Sequence, residues 1–181
     1  MLRRWDEADA PLLDEAVRAN LDHLRPWMPW ARHEPESIER RIVRLRRFRH
    51  RFEAGSDYTY GIFDREERTV LGGAGLHLRI GAGAAKIGYW IHIEHVRQGL
   101  ATEAAGALTR VGFCVLGLQR IEIHCEQANP GSQAVAARLG YTHRLTIRGQ
   151  VTTPSMGPRD MMIWTMQRDE FAASPCSQSR D

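Results

Sequence analysis

Apolar residues recur at helical spacing near the start of the chain. Leu12, Leu13, Ala16, Val17, Leu21 and Leu24 predict a first helix that ends before Pro26. An aromatic, proline-broken loop follows at Trp27–Trp30, and Glu34-Pro-Glu-Ser37 marks the next helix start. Ile38, Ile42, Leu45, Phe48 and Phe52 then form one stripe at steps of three and four, a second helix with one buried face. From Asp57 the period becomes extended. Tyr58–Phe63, Val70–Ile80 and Lys86–Ile93 predict three strands, turned at Asp64–Glu67 and Gly81–Gly83. A helix over 99–116 carries Leu100, Ala104, Leu108, Val111 and Val115 on one face. After it come a strand at Arg120–Cys125, a turn at Asn129-Pro-Gly131 and a helix at Ser132–Leu139 closed by Gly140. Two extended segments, Tyr141–Ile147 and Met161–Met166, flank a proline- and glycine-bearing loop at Pro154–Pro158. The order is ααβββαβαββ. A helix between two strands requires a parallel crossover in an otherwise antiparallel sheet, so the expected class is mixed α+β.

Composition narrows the setting. The chain has 181 residues, 43% apolar and 26% charged, enough for one folded domain over 1–171; the small polar stretch 172–181 reads as a disordered tail. A net charge of +3 gives no strong pull toward nucleic acid or membrane. Lys86 is the sole lysine among the 25 basic residues, a bias that codon usage explains. Cys114, Cys125 and Cys176 have neither disulfide-framework nor zinc-ribbon spacing, and no apolar run reaches the ~20 residues of a membrane helix. With no apolar leader after Met1, a cytoplasmic protein that does not engage the membrane is expected.

The most informative stretch is Ile91–Ala104, in which a strand ends, Arg97-Gln-Gly99 follows and a helix begins. Unpaired amides and the positive end of a helix dipole converge there, which suits a phosphate group. Gly99 and Ala101 keep side-chain bulk away from those amides. Two other glycine clusters are decoys. Gly81–Lys86 lacks the spacing of a dinucleotide or P-loop motif, and Gly72, Gly73 and Gly75 lie within a strand, where glycine marks a bulge or a close backbone approach.

Arg97-Gln-Gly-Leu-Ala-Thr-Glu-Ala104, Asn129-Pro-Gly-Ser132 and Leu139-Gly-Tyr141, with their intervening elements, resemble the acetyl-CoA-binding core of the GNAT acetyltransferases. Trp27-Met-Pro-Trp30, Leu71–His77, Ile87–Ile91 and Arg168–Phe171 are similar to the RimJ/RimL branch, which acetylates ribosomal-protein N-termini. The resemblance implies a twisted, mostly antiparallel sheet flanked by helices, acetyl-CoA as co-substrate, no metal, and pairing as a homodimer. It implies that Arg97, Gln98, Gly99, Leu100, Ala101 and Thr102 hold the CoA diphosphate, mainly through amides. Ile91 and Ile93 would offer strand backbone to the pantetheine arm and thioester. Asn129 and Ser132 would stand near the sulfur. Read from the residues themselves, Trp30, His77 and Glu126 are candidates for the acceptor side. Val96 stands where the family loop usually opens with Arg or Gln, Lys86 where the branch often has Glu, and Ala136 where some relatives have a tyrosine acid, so that tyrosine mechanism does not transfer.

Attack on a thioester needs a neutral amine, a polarised carbonyl and a protonated leaving thiol. A strand N–H supplies the oxyanion contact, and Ser132 is the candidate donor to the thiolate. No Cys–His nucleophile pair is evident, so direct attack in a ternary complex is expected. Deprotonating a lysine at pH 7 costs about 4–5 kcal/mol, against about 1–1.4 kcal/mol for an α-amine. With no obvious base among Glu103, Glu122 and Glu126, an N-terminal α-amine or a small amine is the expected acceptor.

Blander readings stand beside these. The arginine-dense helix 38–52 reads first as a solvated face and second as a dock for acidic protein or RNA. His92 and His95 have a metal-like spacing but diverge if they lie on a strand end, with no third ligand evident. Trp27 and Trp30 either plug a core or wall a substrate groove, a strand histidine such as His77 is more often structural, and Cys125 alternates with Ile121 and Ile123 as a buried residue. The rival function is a non-catalytic acyl-CoA-binding or ribosome/RNA-docking module. Asn129 with Ser132 argues against it, because a mere binder has no need of them at the thioester end.

Overall fold

The alternation of helical and extended periods is realised in a computed structural model that describes residues 1–153 and 157–177. The strands are β1 (Leu2–Arg4), β2 (Asp57–Phe63), β3 (Val70–His77), β4 (Ala84–Ile91), β5 (Arg120–Glu126), β6 (Thr142–Thr153) and β7 (Gly157–Gln167). The helices are α1 (Ala10–Ala19), α2 (Leu21–Leu24), α3 (Ile38–Glu53), α4 (Leu100–Arg110), α5 (Pro130–Arg138) and α6 (Arg168–Phe171). The strands form one seven-stranded sheet in the order β1-β2-β3-β4-β5-β7-β6. β4 and β5 are parallel, with Ala84 beside Arg120 and Ile87 beside Ile123, whereas β1–β2, β5–β7 and β6–β7 are antiparallel. The class is mixed α+β, with the parallel step where the crossover through α4 requires it.

Several elements differ from the sequence pattern: the first helix breaks at Asn20, and the strand expected to reach Ile80 ends at His77. β1, a three-residue strand, pairs with β2 at the sheet edge. The third strand stops at Ile91, because His92 caps a 3-10 turn at Ile93–His95. β6 continues past Ile147 through register shifts, with Gly149 at φ +63 and its N–H donated to Asp160 Oδ1 at 3.0 Å. Of the loop expected at Pro154–Pro158, 154–156 lie outside the described residues, and Gly157 and Pro158 begin β7.

The chain packs as two compact units. The first takes in Met1–Gly75 and Tyr89–Ala104. Its core gathers Trp5, Leu13, Val17, Leu45, Phe63 and Val70, with Trp5 edge-on to Phe63 at 5.2 Å. α3 is amphipathic as expected, but Arg41 shares the spacing of Ile38, Leu45 and Phe48 and is fully buried, so this arginine does not belong to a solvated face. Its Nη2 reaches Glu34 at 2.8 Å and Asp14 at 3.0 Å. Arg44 pairs with Glu36 at 2.6 Å, Arg46 with Glu7 at 2.7 Å and Arg49 with Glu53 at 3.1 Å. Most of the charge on this helix is therefore neutralised within the fold.

The second unit takes in Leu76–Gly88 and the chain from Ala105 onward. Ile87, Leu108, Phe113, Ile121, Ile123 and Met166 are almost fully buried in it. α4 runs into a π turn at Val111–Val115, and Arg168 closes that end by donating to the carbonyls of Phe113 (2.8 Å) and Leu118 (3.1 Å). Gly140, at φ +88, ends α5 as its position suggested. Residues 172–177 were expected to be disordered, but they form turns in which Ser174 and Cys176 are buried, and Arg110 donates to the Cys176 carbonyl at 3.2 Å. The remainder of that tail, 178–181, lies outside the described residues.

Candidate functional site

In the first unit, β4 ends at Ile91, the His92–Val96 turn follows, and the chain then reverses sharply. Arg97 lies at φ +63 and Gly99 at φ +87, so two left-handed residues separated by Gln98 form a concave loop. Glu103 is the first residue of α4 with a backbone partner, its N–H meeting the Gly99 carbonyl at 3.0 Å. The amides of Leu100, Ala101 and Thr102 precede any possible intrahelical acceptor, and no side chain among the described residues caps them. A Cβ placed on Gly99 would meet nothing within 4 Å, so the space before these amides is open. Gln98 turns its side chain back to the Glu94 carbonyl at 3.3 Å. Bare amides, a dipole end, the exposed Arg97 and open space together fit a diphosphate.

The two isoleucines part company. Ile91 is buried as the last residue of β4, whereas Ile93 is exposed in the 3-10 turn and its N–H is already donated to Asn20 Oδ1 at 2.6 Å. The expected role of Ile93 as a strand donor is thereby corrected: the strand has ended, and a buried asparagine from the α1–α2 junction occupies the amide. Trp30 stacks edge-on to Trp90 at 6.1 Å and packs on the first core. Gly72 and Gly73 mark a close approach, since a Cβ on Gly72 would lie 2.3 Å from the Trp90 carbonyl and one on Gly73 would lie 2.6 Å from its Nε1.

His92 and His95 do not diverge. On the turn their ligand atoms and those of Glu94 all fall within 4.8 Å of one another, supplying the third group that the strand reading lacked. Burial holds the His92 imidazole below its ordinary range, helped by the nearby charges of His95 and His23 against that of Glu94.

In the second unit, Asn129 is the N-cap of α5. Its Oδ1 accepts the Ser132 N–H at 3.0 Å, so this oxygen holds the helix start and fixes Ser132. Ser132 lies beside Cys125. Burial pushes the Cys125 thiol up, and interactions with the Ser132 and Trp164 side chains draw it partly back. A buried, protonated thiol of this kind is no nucleophile. Glu126 is buried and ion-paired to Arg159 at 2.5 Å, which ties up its carboxylate. On the same strand a pair emerges that the sequence reading missed: His124 Nε2 meets Glu122 Oε2 at 2.6 Å. Its signal was the i, i+2 spacing, which puts both side chains on one face of β5. His77 lies over Gly88, its Nε2 3.5 Å from where a Cβ would stand, with Arg79 at 3.3 Å from its Nδ1.

The model of the acetyltransferase (GNAT) domain matches residues 1–142. The uncharacterized N-acetyltransferase YoaA of Bacillus subtilis (strain 168) is 31% identical over 149 residues, 82% of either chain. The chain belongs to the GNAT acetyltransferase family. A solved probable acetyltransferase shares the GNAT fold with a TM-score of 0.84 and 25% identity, over 93% of both chains. RimL, described as a ribosomal L7/L12 α-N-protein acetyltransferase and solved with coenzyme A disulfide-bonded to one of its cysteines, matches with a TM-score of 0.83 and 23% identity, over 93% of this chain and 94% of its own. At that identity the likeness is one of fold. As a GNAT member the chain is an N-acetyltransferase, and no helix among its described residues is long and apolar enough to cross a membrane.

Proposed function

We propose that the chain moves acetyl from acetyl-CoA onto the α-amine of a protein or peptide N-terminus, or onto a small primary amine, by direct attack in a ternary complex. The observation that carries this reading is the reversed loop at 97–102, whose uncapped amides suit a diphosphate. Arg97 through Thr102 hold the diphosphate, and Ile91 lends main-chain groups to the pantetheine arm. Ser132 donates to the departing thiolate, with Asn129 as the positioning residue that fixes it. The acceptor class is supported by the energetics of the amine, since an α-amine near pKa 8 costs far less to deprotonate at pH 7 than a lysine. It is supported also by RimL, a fold neighbour described as an α-N-protein acetyltransferase.

The docking-module reading loses its main support, because the arginines it needs are largely paired within the fold. Thiol release from acetyl-CoA across peptide N-termini, polyamines and aminoglycosides tests the proposal. Peptides with free α-amines should turn over. Equal turnover of N-terminally blocked, lysine-containing peptides would overturn the acceptor class, and CoA binding without release for every amine would restore the module reading.

A further inference from the structure

We propose that His92, Glu94 and His95 form a binding site for one divalent cation of the zinc class, on the turn that leads into the 97–102 loop. The expectation of no metal came from the family resemblance, and the geometry of this turn departs from it. β4 ends at Ile91, and the 3-10 turn at Ile93–His95 follows at once. The His95 N–H closes that turn on the His92 carbonyl at 2.8 Å, which draws the two histidines together. Their ring centroids are 5.5 Å apart. Glu94 joins them, and the ligand atoms of all three fall within 4.8 Å of one another. A tetrahedral zinc ion holds its ligand atoms about 3.3 Å apart, so side-chain rotations of these partly exposed residues close the site.

The backbone beneath the three side chains is already fixed. The His92 N–H donates to the Leu71 carbonyl at 2.8 Å, and the Ile93 N–H to Asn20 Oδ1 at 2.6 Å. The ligand atoms themselves are available. Arginines take up Glu7, Glu34 and Glu36 elsewhere in this unit, but the Glu94 carboxylate has no ion pair among the described residues. The ring nitrogens of His95 likewise have no hydrogen-bond partner among them. His92 Nδ1 lies 3.3 Å from the Glu94 N–H, a long contact that an ion replaces at small cost.

The donor set decides the cation class. Two imidazoles with one carboxylate suit zinc and its neighbours, whereas magnesium and calcium seek oxygen. Three protein ligands leave the fourth position of the tetrahedron to water. His23 of α2 stands near enough for its charge to bear on His92, so it lies within reach of the same position. An ion here braces the turn that runs into Arg97, and no step of acetyl transfer passes through it.

The test titrates Zn²⁺ into the metal-stripped full chain by calorimetry, with Co²⁺ as the spectroscopic probe. Zinc should bind saturably at one per chain and raise Tm, and Co²⁺ should give the intense visible absorption of a four-coordinate site. His95→Gln and Glu94→Gln should each weaken zinc binding by about 10²-fold or more, since even the loss of an outer partner costs 10–100-fold. Both lie on an exposed turn, and if one variant does not fold the other decides. His124→Gln, in the second unit, should bind as wild type does. Absence of saturable uptake, weak uptake spread over many sites, or wild-type affinity in either folded turn variant overturns the site. Competition by equimolar Mg²⁺ overturns the cation class.

Discussion

The starts of α4 and α5 pose the same problem and meet it in opposite ways. Each leaves its first amides without intrahelical acceptors. At α5 the Asn129 side chain accepts the Ser132 N–H at 3.0 Å, and Pro130 removes one donor outright. At α4 no side chain among the described residues helps, and the chain enters through two left-handed residues, Arg97 and Gly99, with open space beyond Gly99. A helix start that is capped from within holds its own side chains, Ser132 among them, in place. One that is left bare and wrapped in a strained turn is shaped for an anion from outside. The contrast teaches that the asparagine fixes a neighbouring residue, whereas the glycine loop offers bare amides.

Gly99→Val should break the contrast most sharply. A β-branched residue at positive φ costs about 1–2 kcal/mol, so the loop relaxes and CoA affinity should fall about tenfold by calorimetry. Asn129→Ala acts on the other start. Loss of the cap should cost about 1 kcal/mol and lower Tm by about 2–4 °C in a thermal melt, with CoA affinity unchanged. A large loss of affinity there would erase the distinction. Arg97→Gly sharpens it: relief of the left-handed strain should stabilise the fold by about 0.5–1 kcal/mol. Affinity should drop modestly if amides carry most of the diphosphate contact, and severely if the guanidinium does.

The smallest effect concerns the two buried cysteines, Cys125 and Cys176. Burial raises the thiols of Cys125 and Cys176 in the folded state, so unfolding above the ordinary thiol pKa of about 8.5 releases protons. Stability should decline as pH rises past that value, and Cys176→Ser should flatten the decline in calorimetric scans.

What the sequence pattern made legible follows from physics that acts locally. The stripe of α3, the glycine end of α5 and the reversal before α4 are written in residues three or four apart, and the parallel crossover follows from element order. The misses have longer-range causes. β1 has three residues and no pattern of its own, and it exists through pairing with β2. Ile93 reads as strand until Asn20, 73 positions away, takes its amide. The sixth strand reads as ending at Ile147, whereas register shifts carry β6 to Thr153 and Asp160 accepts the Gly149 N–H within it. Within the candidate site, the loop was readable as a motif. The His124–Glu122 pair is less legible, because an i, i+2 spacing gives a shared face and not a contact.

Arg41 bears on which sequence changes this chain can absorb. Its guanidinium reaches Glu34 and Asp14 at once from a fully buried position, whereas Arg40 and Arg47 stand exposed on the same helix. Drift from arginine to lysine is therefore silent at the outer two positions. At the inner one a single ammonium cannot bridge two carboxylates with a planar fork, and the exchange strands a buried charge.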